Sequence, residues 1–367
     1  MTLHANHAGT SWPKPAPVVA AVRAALELPI EQHGACYAAA HGAIAAALDL
    51  PAPERLLLTS SCTQALALAL GDLPWQAGDT VVTSSLEHHA LARPVQKLVH
   101  ERGVQHVAVP YRPGTPFDLD ALAAALRRGR VRLVACTGAS NVTGELLPLA
   151  EITALAHAHG ALVLLDAAQL AGTVPLSVRA LGVDLAVFAG HKGLQGPLGI
   201  GGFWAAPSVA FACPAAVCEL HRDGGAAAPF ATYPGFCDVG SVNLPAAHGL
   251  AAGCAWLAAA PAAVRERPRV LARQLRAALR DRPGCRVLGG DGPHTGTVAV
   301  VLDALPLARA EAHFAAHGIT VRAGSHCAPM ALAALGTPQG VLRLSFGPGN
   351  AATDADAVLA AIDAARA

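Results

Sequence analysis

A chain of 367 residues with a formal net charge of +1 carries too little positive charge to hold a nucleic acid by bulk electrostatics. It is long enough for two domains, or for one large α/β domain with an appended lobe. At 53% hydrophobic, 14% charged and only 4% aromatic, it can bury a large core, and that core must rest on Ala, Leu and Val.

The elements follow in chain order. Residues 1–16 are extended and proline-punctuated, without the charged and apolar regions of a signal peptide. Amphipathic patterns predict helices over Pro17–Leu28 and Ala35–Leu48. Leu56–Thr59 reads as a short strand leading through Ser60–Thr63 into a helix, and Thr80–Ser84 as a strand leading through Glu87-His88-His89 into another. Val104–Val109, Arg132–Cys136 and Ala161–Leu165 continue the strands, with helices near Leu119–Arg127 and Pro148–His159. This alternation predicts a doubly wound α/β fold with a mainly parallel sheet. No GxGxxG joins a strand to a helix, which argues against a nicotinamide or flavin site. The Gly- and Pro-rich stretch Cys213–Gly240 reads as a connection that covers the active site. A long helical stretch over Leu244–Leu279, interrupted near Pro261 and Pro268, precedes a small α/β lobe built from Val298–Leu302, Ala308–His317, Thr320–Ala323, Val341–Ser345 and Thr353–Ala365. The expected division is an extended segment 1–16, a large domain 17–250 and a small domain 251–367.

The stretch Ala161–Gly202 organises the chemistry. Two apolar runs, Ala161–Leu165 and Leu185–Ala189, suit parallel strands covered on both faces, and each ends in polar residues: Asp166 with Gln169, and His191 with Lys192. Ligands of such sheets bind beyond the carboxyl ends of the strands, where Asp166 and Lys192 would both lie. Of the 26 basic residues only Lys14, Lys97 and Lys192 are lysine, so this chain uses arginine for ordinary surface charge. A desolvated lysine can form a Schiff base and an arginine cannot. An amine for the aldehyde and a carboxylate for the pyridinium nitrogen are what pyridoxal 5'-phosphate requires.

Other polar clusters have two readings each. Ser60–Thr63 suits a phosphate at a helix N-terminus, or is an ordinary N-cap. His88 can stack on an aromatic cofactor, or is a surface histidine. Asn141 can reach a ring oxygen, or forms a turn. The 17 histidines include no HExxH or paired Cys/His spacing, so no metal is expected. The nine cysteines, at 36, 62, 136, 213, 218, 237, 254, 285 and 327, lack CxxC pairs and suit a reducing, cytoplasmic compartment. The Ala-rich segments are broken before bilayer length, so no membrane partner is expected.

SWPKP, EHHAL, SNVTGE, DAAQ, GHKGLQGP, GSVN and RAGSHCAP, in this order from about Gly9 to the C-terminus, resemble the cysteine desulfurase and selenocysteine lyase branch of the class V aminotransferases. These are fold-type I pyridoxal phosphate (PLP) enzymes with a large domain and a smaller C-terminal one. The resemblance implies that Lys192 is the Schiff-base lysine, Asp166 the partner of the pyridine nitrogen, Gln169 the partner of the phenolic oxygen and His88 the stacking ring. Cys62, Thr63 and His191 would sit at the phosphate, and Ser241 would reach the phosphate of a partner subunit in a homodimer. Arg343 would clamp the substrate carboxylate, with Asn141, Arg322 and His326 alongside. Cys327 would be the nucleophile, with His326 or Arg322 lowering its pKa. The implied reaction converts L-cysteine to L-alanine and leaves a persulfide on Cys327 for a sulfur acceptor. Ser61-Cys62-Thr63 stands where the family has Gly-Thr-Thr, Asn6-His7-Ala8-Gly9-Thr10 where it has Asp-Asn-Ala-Ala-Thr, Phe236-Cys237-Asp238 where it has Arg-Phe-Glu, and Ala189 where it has a phosphate-binding Ser or Thr. These departures keep open a C–S lyase, a selenocysteine lyase or an aminotransferase. A non-catalytic PLP-binding scaffold is a further alternative.

Overall fold

The computed structural model describes residues 2–211 and 241–365. The expected connection over Cys213–Gly240, with Cys213, Cys218 and Cys237, lies outside them. The chain opens with β1 (Leu3–His4), α1 (Ala16–Glu27) and α2 (His33–Ala47). It continues as β2 (Leu56–Thr59), α3 (Cys62–Gly71), β3 (Asp79–Ser84), α4 (His89–Arg102), β4 (Gln105–Val109), α5 (Leu119–Leu126) and β5 (Arg130–Thr137). Then come α6 (Leu149–Ala158), β6 (Leu162–Asp166), α7 (Val178–Leu181), β7 (Leu185–Ala189) and β8 (Gly201–Ala205). These strands form one seven-stranded sheet in the order β2-β8-β7-β6-β5-β3-β4. β7, β6, β5, β3 and β4 run parallel, and β8 runs antiparallel to both β7 and β2. The carboxyl ends of β2, β3, β4, β5, β6 and β7 therefore share one edge.

Strand alternation places Leu57, Val81, Leu133, Leu164 and Val187 on the face covered by α3 and α4. Leu56, Val82, Val134, Leu165 and Phe188 face the opposite core, with α2, α5, α6 and α8 (Leu244–Ala259). A sheet buried on both faces leaves its strand ends as the place for polar chemistry. β8 was hidden in sequence because its first two residues are glycine, which weakens a strand pattern. Here glycine is required: a Cβ on Gly201 would lie 2.6 Å from the Cys62 nitrogen, and one on Gly202 2.6 Å from the Leu57 carbonyl oxygen.

The second lobe comprises α9 (Ala262–Arg280), β9 (Cys285–Leu288), β10 (Thr297–Leu302), α10 (Leu307–Ala316), β11 (Ile319–Thr320), β12 (Arg322–Gly324), α11 (Pro329–Ala334), β13 (Val341–Ser345) and α12 (Asp354–Ala364). Its antiparallel sheet has the order β12-β13-β10-β9. The expected strand Thr320–Ala323 is two strands: β11 pairs with β1, and β12 with β13. The expected interruption at Pro268 is absent, because α9 runs through it with its ring packed on Gly296. The expected interruption at Pro261 is present, as a 90° turn at Ala260–Pro261. Buried residues of α8 belong to the large sheet's core and those of α9 to the small one. Residue 250, the expected division, lies inside α8. The extended segment 1–16 is part of the small lobe's packing: β1 pairs with β11, Asn6 bridges Ser345, and Ala5 is in that core. Among the described residues no single helix is long and apolar enough to cross a membrane.

Phe314 is fully buried in the small-lobe core with Leu271, Leu275 and Val298. Phe314→Ala should destabilise the protein by about 3–5 kcal/mol in denaturant unfolding. A loss below about 1 kcal/mol would mean that this core does not depend on the ring.

Candidate active site

The shared edge gathers polar groups from several strand ends. β6 ends in Asp166, which is 3% exposed. Its Oδ1 accepts the Ala168 N–H at 2.9 Å and the Cys62 thiol at 3.6 Å. Burial raises the Asp166 pKa, and the Ala168 N–H and the nearby Lys192 oppose that rise. Lys192 follows β7. Burial lowers its pKa, against the pull of Cys62 and Asp166. Desolvation thus favours the free amine, which is the nucleophilic form.

The loop carrying Lys192 is fixed by close backbone approach. A Cβ on Gly193 would lie 2.3 Å from the Ala171 carbonyl oxygen, and one on Gly172, whose φ is +77°, 2.4 Å from the Gly193 carbonyl. The peptide before Lys192 is held from the N-terminal segment. The His191 carbonyl oxygen accepts from Thr10 Oγ1 at 3.1 Å and from Ser11 N, Ser11 Oγ and Lys14 Nζ, each at 3.0 Å. The His191 ring turns its Nδ1 to Thr10 Oγ1 at 3.1 Å. Lys14, in the SWPKP motif, is a site residue that the motifs assign no role, and its one signal in the sequence is its rarity as one of three lysines.

β3 leads to His88, the N-cap of α4, whose Nδ1 accepts the Ala90 N–H at 3.0 Å. Burial, reinforced by Lys192, lowers the His88 pKa to about 4, so the ring is neutral near pH 7. Gln169 is buried and donates from Nε2 to the Ala8 carbonyl at 2.9 Å, which leaves its amide a second N–H. Ser61 caps α3 by accepting the Gln64 N–H at 3.2 Å, so the N-cap reading of Ser60–Thr63 holds for Ser61. Cys62 is buried, and burial raises its thiol pKa well above the ordinary value.

The small lobe supplies the other side. Arg343 on β13 is buried and donates from Nη1 to the Asn141 carbonyl at 2.9 Å and from Nη2 to Asn6 Oδ1 at 3.2 Å. Asn141 Nδ2 donates to the His326 carbonyl at 2.8 Å. His326 Nε2 donates to the Val341 carbonyl at 2.9 Å, and burial, with Arg343 nearby, lowers its pKa to about 4. His326 is therefore neutral near pH 7 and is not the cation expected beside the thiol. Arg322 is paired with Glu311 at 3.4 Å, so its charge is shared with that carboxylate. Cys327 is exposed, and its carbonyl accepts the His89 N–H at 2.7 Å. Thr63, His88 and Cys327 line one cavity of about 580 Å³, bordered by Arg93 and Lys97. Ser241 lies apart from Lys192, in a cleft with Tyr37, Ser60 and Gln64.

Three buried polar atoms here lack a partner among the described residues: Asn141 Oδ1, Arg343 Nε and His326 Nδ1. Unpartnered buried polar atoms beside a desolvated lysine and a carboxylate fit a polar, carboxylate-bearing guest on an aromatic cofactor. Fold and site together define a pyridoxal-phosphate enzyme of fold type I. More particularly, the family model for aminotransferase class-V matches residues 19–358, and the chain belongs to that family. A probable cysteine desulfurase of Vibrio cholerae is 32% identical over 329 residues, covering 87% of this chain and 80% of its own. Cysteine desulfurase CsdA of Escherichia coli is 32% identical over 351 residues, covering 90% and 82%. The crystal structure of that enzyme in an S-sulfonic acid form matches with a TM-score of 0.87 at 29% identity, covering 100% of this chain and 94% of the other. An apo cysteine desulfurase from Thermococcus onnurineus shares the fold with a TM-score of 0.88 at 24% identity, covering 99% and 94%.

Gly193→Ala should push the Lys192 loop off the Ala171–Gly172 turn. In absorbance titration the variant is expected to bind PLP at least about tenfold more weakly than the wild type while remaining folded. Unchanged affinity would show that the loop can yield without moving Lys192.

Proposed function

We propose that this enzyme is a PLP-dependent cysteine desulfurase, converting L-cysteine to L-alanine with a persulfide on Cys327. The observation that carries the reading is the exposed Cys327 in one cavity with His88 and Thr63, its main chain bonded to the first N–H of α4. The kinship with proteins named cysteine desulfurase supports it.

When bound, PLP supplies an aldehyde for the substrate amine and a ring that withdraws electrons from Cα. Lys192 would hold the cofactor and, as a free amine, move the Cα proton. Asp166, with Oδ1 occupied by Ala168 and Cys62, has Oδ2 to offer the pyridine nitrogen. Gln169 would meet the phenolic oxygen with its second N–H, and the neutral His88 ring would stack on the cofactor. Thr63, Cys62 and His191 would serve the phosphate end. The Arg343 guanidinium would bind the substrate carboxylate, with Asn141 beside it. The Cys327 thiolate then attacks the substrate sulfur. The S–S bond forms as the Cβ–S bond breaks, the electron pair stays with carbon, and a proton at Cβ completes alanine. An acceptor thiolate would then take the outer sulfur of the persulfide, breaking the S–S bond and releasing Cys327 as thiolate, in a reducing cytoplasm.

The same reading includes a homodimer in which Ser241 completes the neighbouring phosphate site. Exposed Val19, Leu26 and Ile30 on or beside α1, Leu198 ahead of β8 and Val242 ahead of α8 support it, since a monomer would leave these apolar side chains in water.

Cys327→Ala should lower alanine release and persulfide formation at least about a hundredfold while PLP absorbance is retained. Mass spectrometry of the wild type after brief exposure to L-cysteine should place the added sulfur on the Cys327 peptide. Alanine at the wild-type rate from Cys327→Ala sinks the desulfurase reading, and pyruvate as the product moves a C–S lyase ahead.

Sedimentation at assay concentration should give a dimer, and Ser241→Ala should weaken PLP binding. A fully active, PLP-saturated monomer would overturn the shared site.

A further inference from the structure

Glu87 is buried in the loop between β3 and α4, one residue before His88, and no step above uses it. Both of its carboxyl oxygens accept the Thr137 backbone N–H, at 3.1 and 2.9 Å, and the Ser84 hydroxyl donates to Oε1. Ser84 Oγ in turn accepts the Leu86 N–H at 3.1 Å. The carboxyl group therefore closes its own turn and ties that turn to the end of β5. Thr137 is the β5 residue in register with Asp166 of β6, and the next residue, Gly138, donates its N–H to the Asp166 carbonyl at 2.9 Å. One side chain thus joins the turn that carries His88 to the strand end that holds Asp166.

We propose that Glu87 is a positioning residue of the cofactor site, whose carboxyl group sets His88 and Asp166 in place relative to each other. The proposal rests on PLP binding and not on the sulfur chemistry, so it stands or falls apart from the desulfurase reading. Electrostatics supports it. Burial pushes the Glu87 pKa up to about 8, with Asp166 adding to the rise and the Ser84 and Thr137 bonds opposing it. The titratable groups facing Glu87 are Asp166 from β6 and Cys136 from β5, and the Cys136 thiol is raised well above its ordinary pKa, first by burial and then by Glu87 and Asp166. Lys192 faces Asp166 from the loop after β7. Two anionic carboxylates in one buried site repel each other, so a proton on Glu87 at neutral pH leaves the charge to Asp166, where the pyridine nitrogen needs it.

The folded chain holds a proton on Glu87 that the unfolded chain releases. The resulting stability is complete below the ordinary pKa of 4.5 and is lost as pH rises through about 8. Glu87→Gln cannot ionise and keeps a carbonyl acceptor for the Thr137 N–H. The test follows thermal unfolding of the full-length protein from pH 5.5 to 9.5, with and without PLP, and the visible circular dichroism of the bound cofactor, which reports ring orientation. The wild type should lose melting temperature relative to Glu87→Gln as pH rises, with the gap widening through about pH 8. At pH 7, Glu87→Gln should bind PLP within about threefold of the wild type. Glu87→Ala, which leaves the Thr137 N–H unpaired, should bind about tenfold more weakly and show an altered cofactor dichroism. Parallel pH curves for wild type and Glu87→Gln, or unchanged affinity and dichroism in Glu87→Ala, would overturn the proposal. If Glu87→Ala fails to fold, Ser84→Ala decides. Loss of that donor should move the wild-type pH limb upward, and an unmoved limb refutes the role.

Discussion

Keeping an amine and a carboxylate out of water at one edge of a sheet is the constraint on which the rest of the structure depends. Desolvation penalises both charged forms, lowering the Lys192 pKa and raising that of Asp166, while their mutual attraction works the other way. The balance leaves a lysine that can act as a nucleophile and an aspartate with one oxygen already bonded. Such a balance requires that neither group swing out to solvent. The mainly parallel sheet meets the requirement by covering both faces with helices and turning six strand ends toward the same edge. The glycines at 172 and 193 meet it by letting two backbones approach more closely than any side chain would permit.

The second consequence is that the site is shared between lobes. Arg343 sits on the small antiparallel sheet, yet its guanidinium bonds to Asn141 of the large lobe and Asn6 of the N-terminal segment. The segment itself touches every part. Ala5 and Asn6 join the small sheet, Ala8 receives the Gln169 amide, and Thr10, Ser11 and Lys14 converge on the His191 carbonyl. A second fastening lies behind Asn141, where Glu145 accepts from Tyr111 Oη at 2.6 Å and from the Gly290 N–H at 3.0 Å. The groups that would meet substrate and cofactor are therefore set by the same few hydrogen bonds, and movement of one lobe would displace both.

Much of this was legible because buried parallel strands leave continuous apolar runs. Leu56–Thr59, Leu185–Ala189 and Val341–Ser345 have the same bounds in sequence and structure, and the polar residues after the first two fall at the strand ends. What escaped was carried by glycine or by long-range pairing. β8 begins with two glycines required by close approach, β9 interrupts its apolar residues with Arg286, and β1, at two residues, is too short to show a period. Thr320–Ala323 has one apolar pattern but two partners, a division that only the three-dimensional pairing decides. Pro268 broke the helix on paper because local propensity was weighed without Gly296, which makes room for its ring. In the site, residue types were readable and charge states were not. His326 adjoins Cys327 in sequence, but its burial, with Arg343 nearby, leaves it neutral against the opposing pull of its bond to Val341.

Cys62 and Cys327 differ in ways that bear on the proposed reaction. Cys62 is enclosed against Asp166, where burial and a neighbouring carboxylate both favour the thiol over the thiolate. Cys327 is exposed, and it and His326 adopt φ of +54° and +49°, a left-handed conformation of order 1–3 kcal/mol each for residues with side chains. Such backbone persists only where its surroundings over-determine it. Here the His326 carbonyl is held by Asn141, the His326 ring by Val341 and the Cys327 carbonyl by His89. All three holders adjoin groups that would handle cofactor or substrate: Asn141 also receives Arg343, Val341 opens the strand carrying Arg343, and His89 follows His88. The strained loop is thereby coupled to both ends of the site. A displacement of the Cys327 loop would be felt at Arg343 and at His88 together, so under the proposed reading the thiol would be presented only from an assembled site.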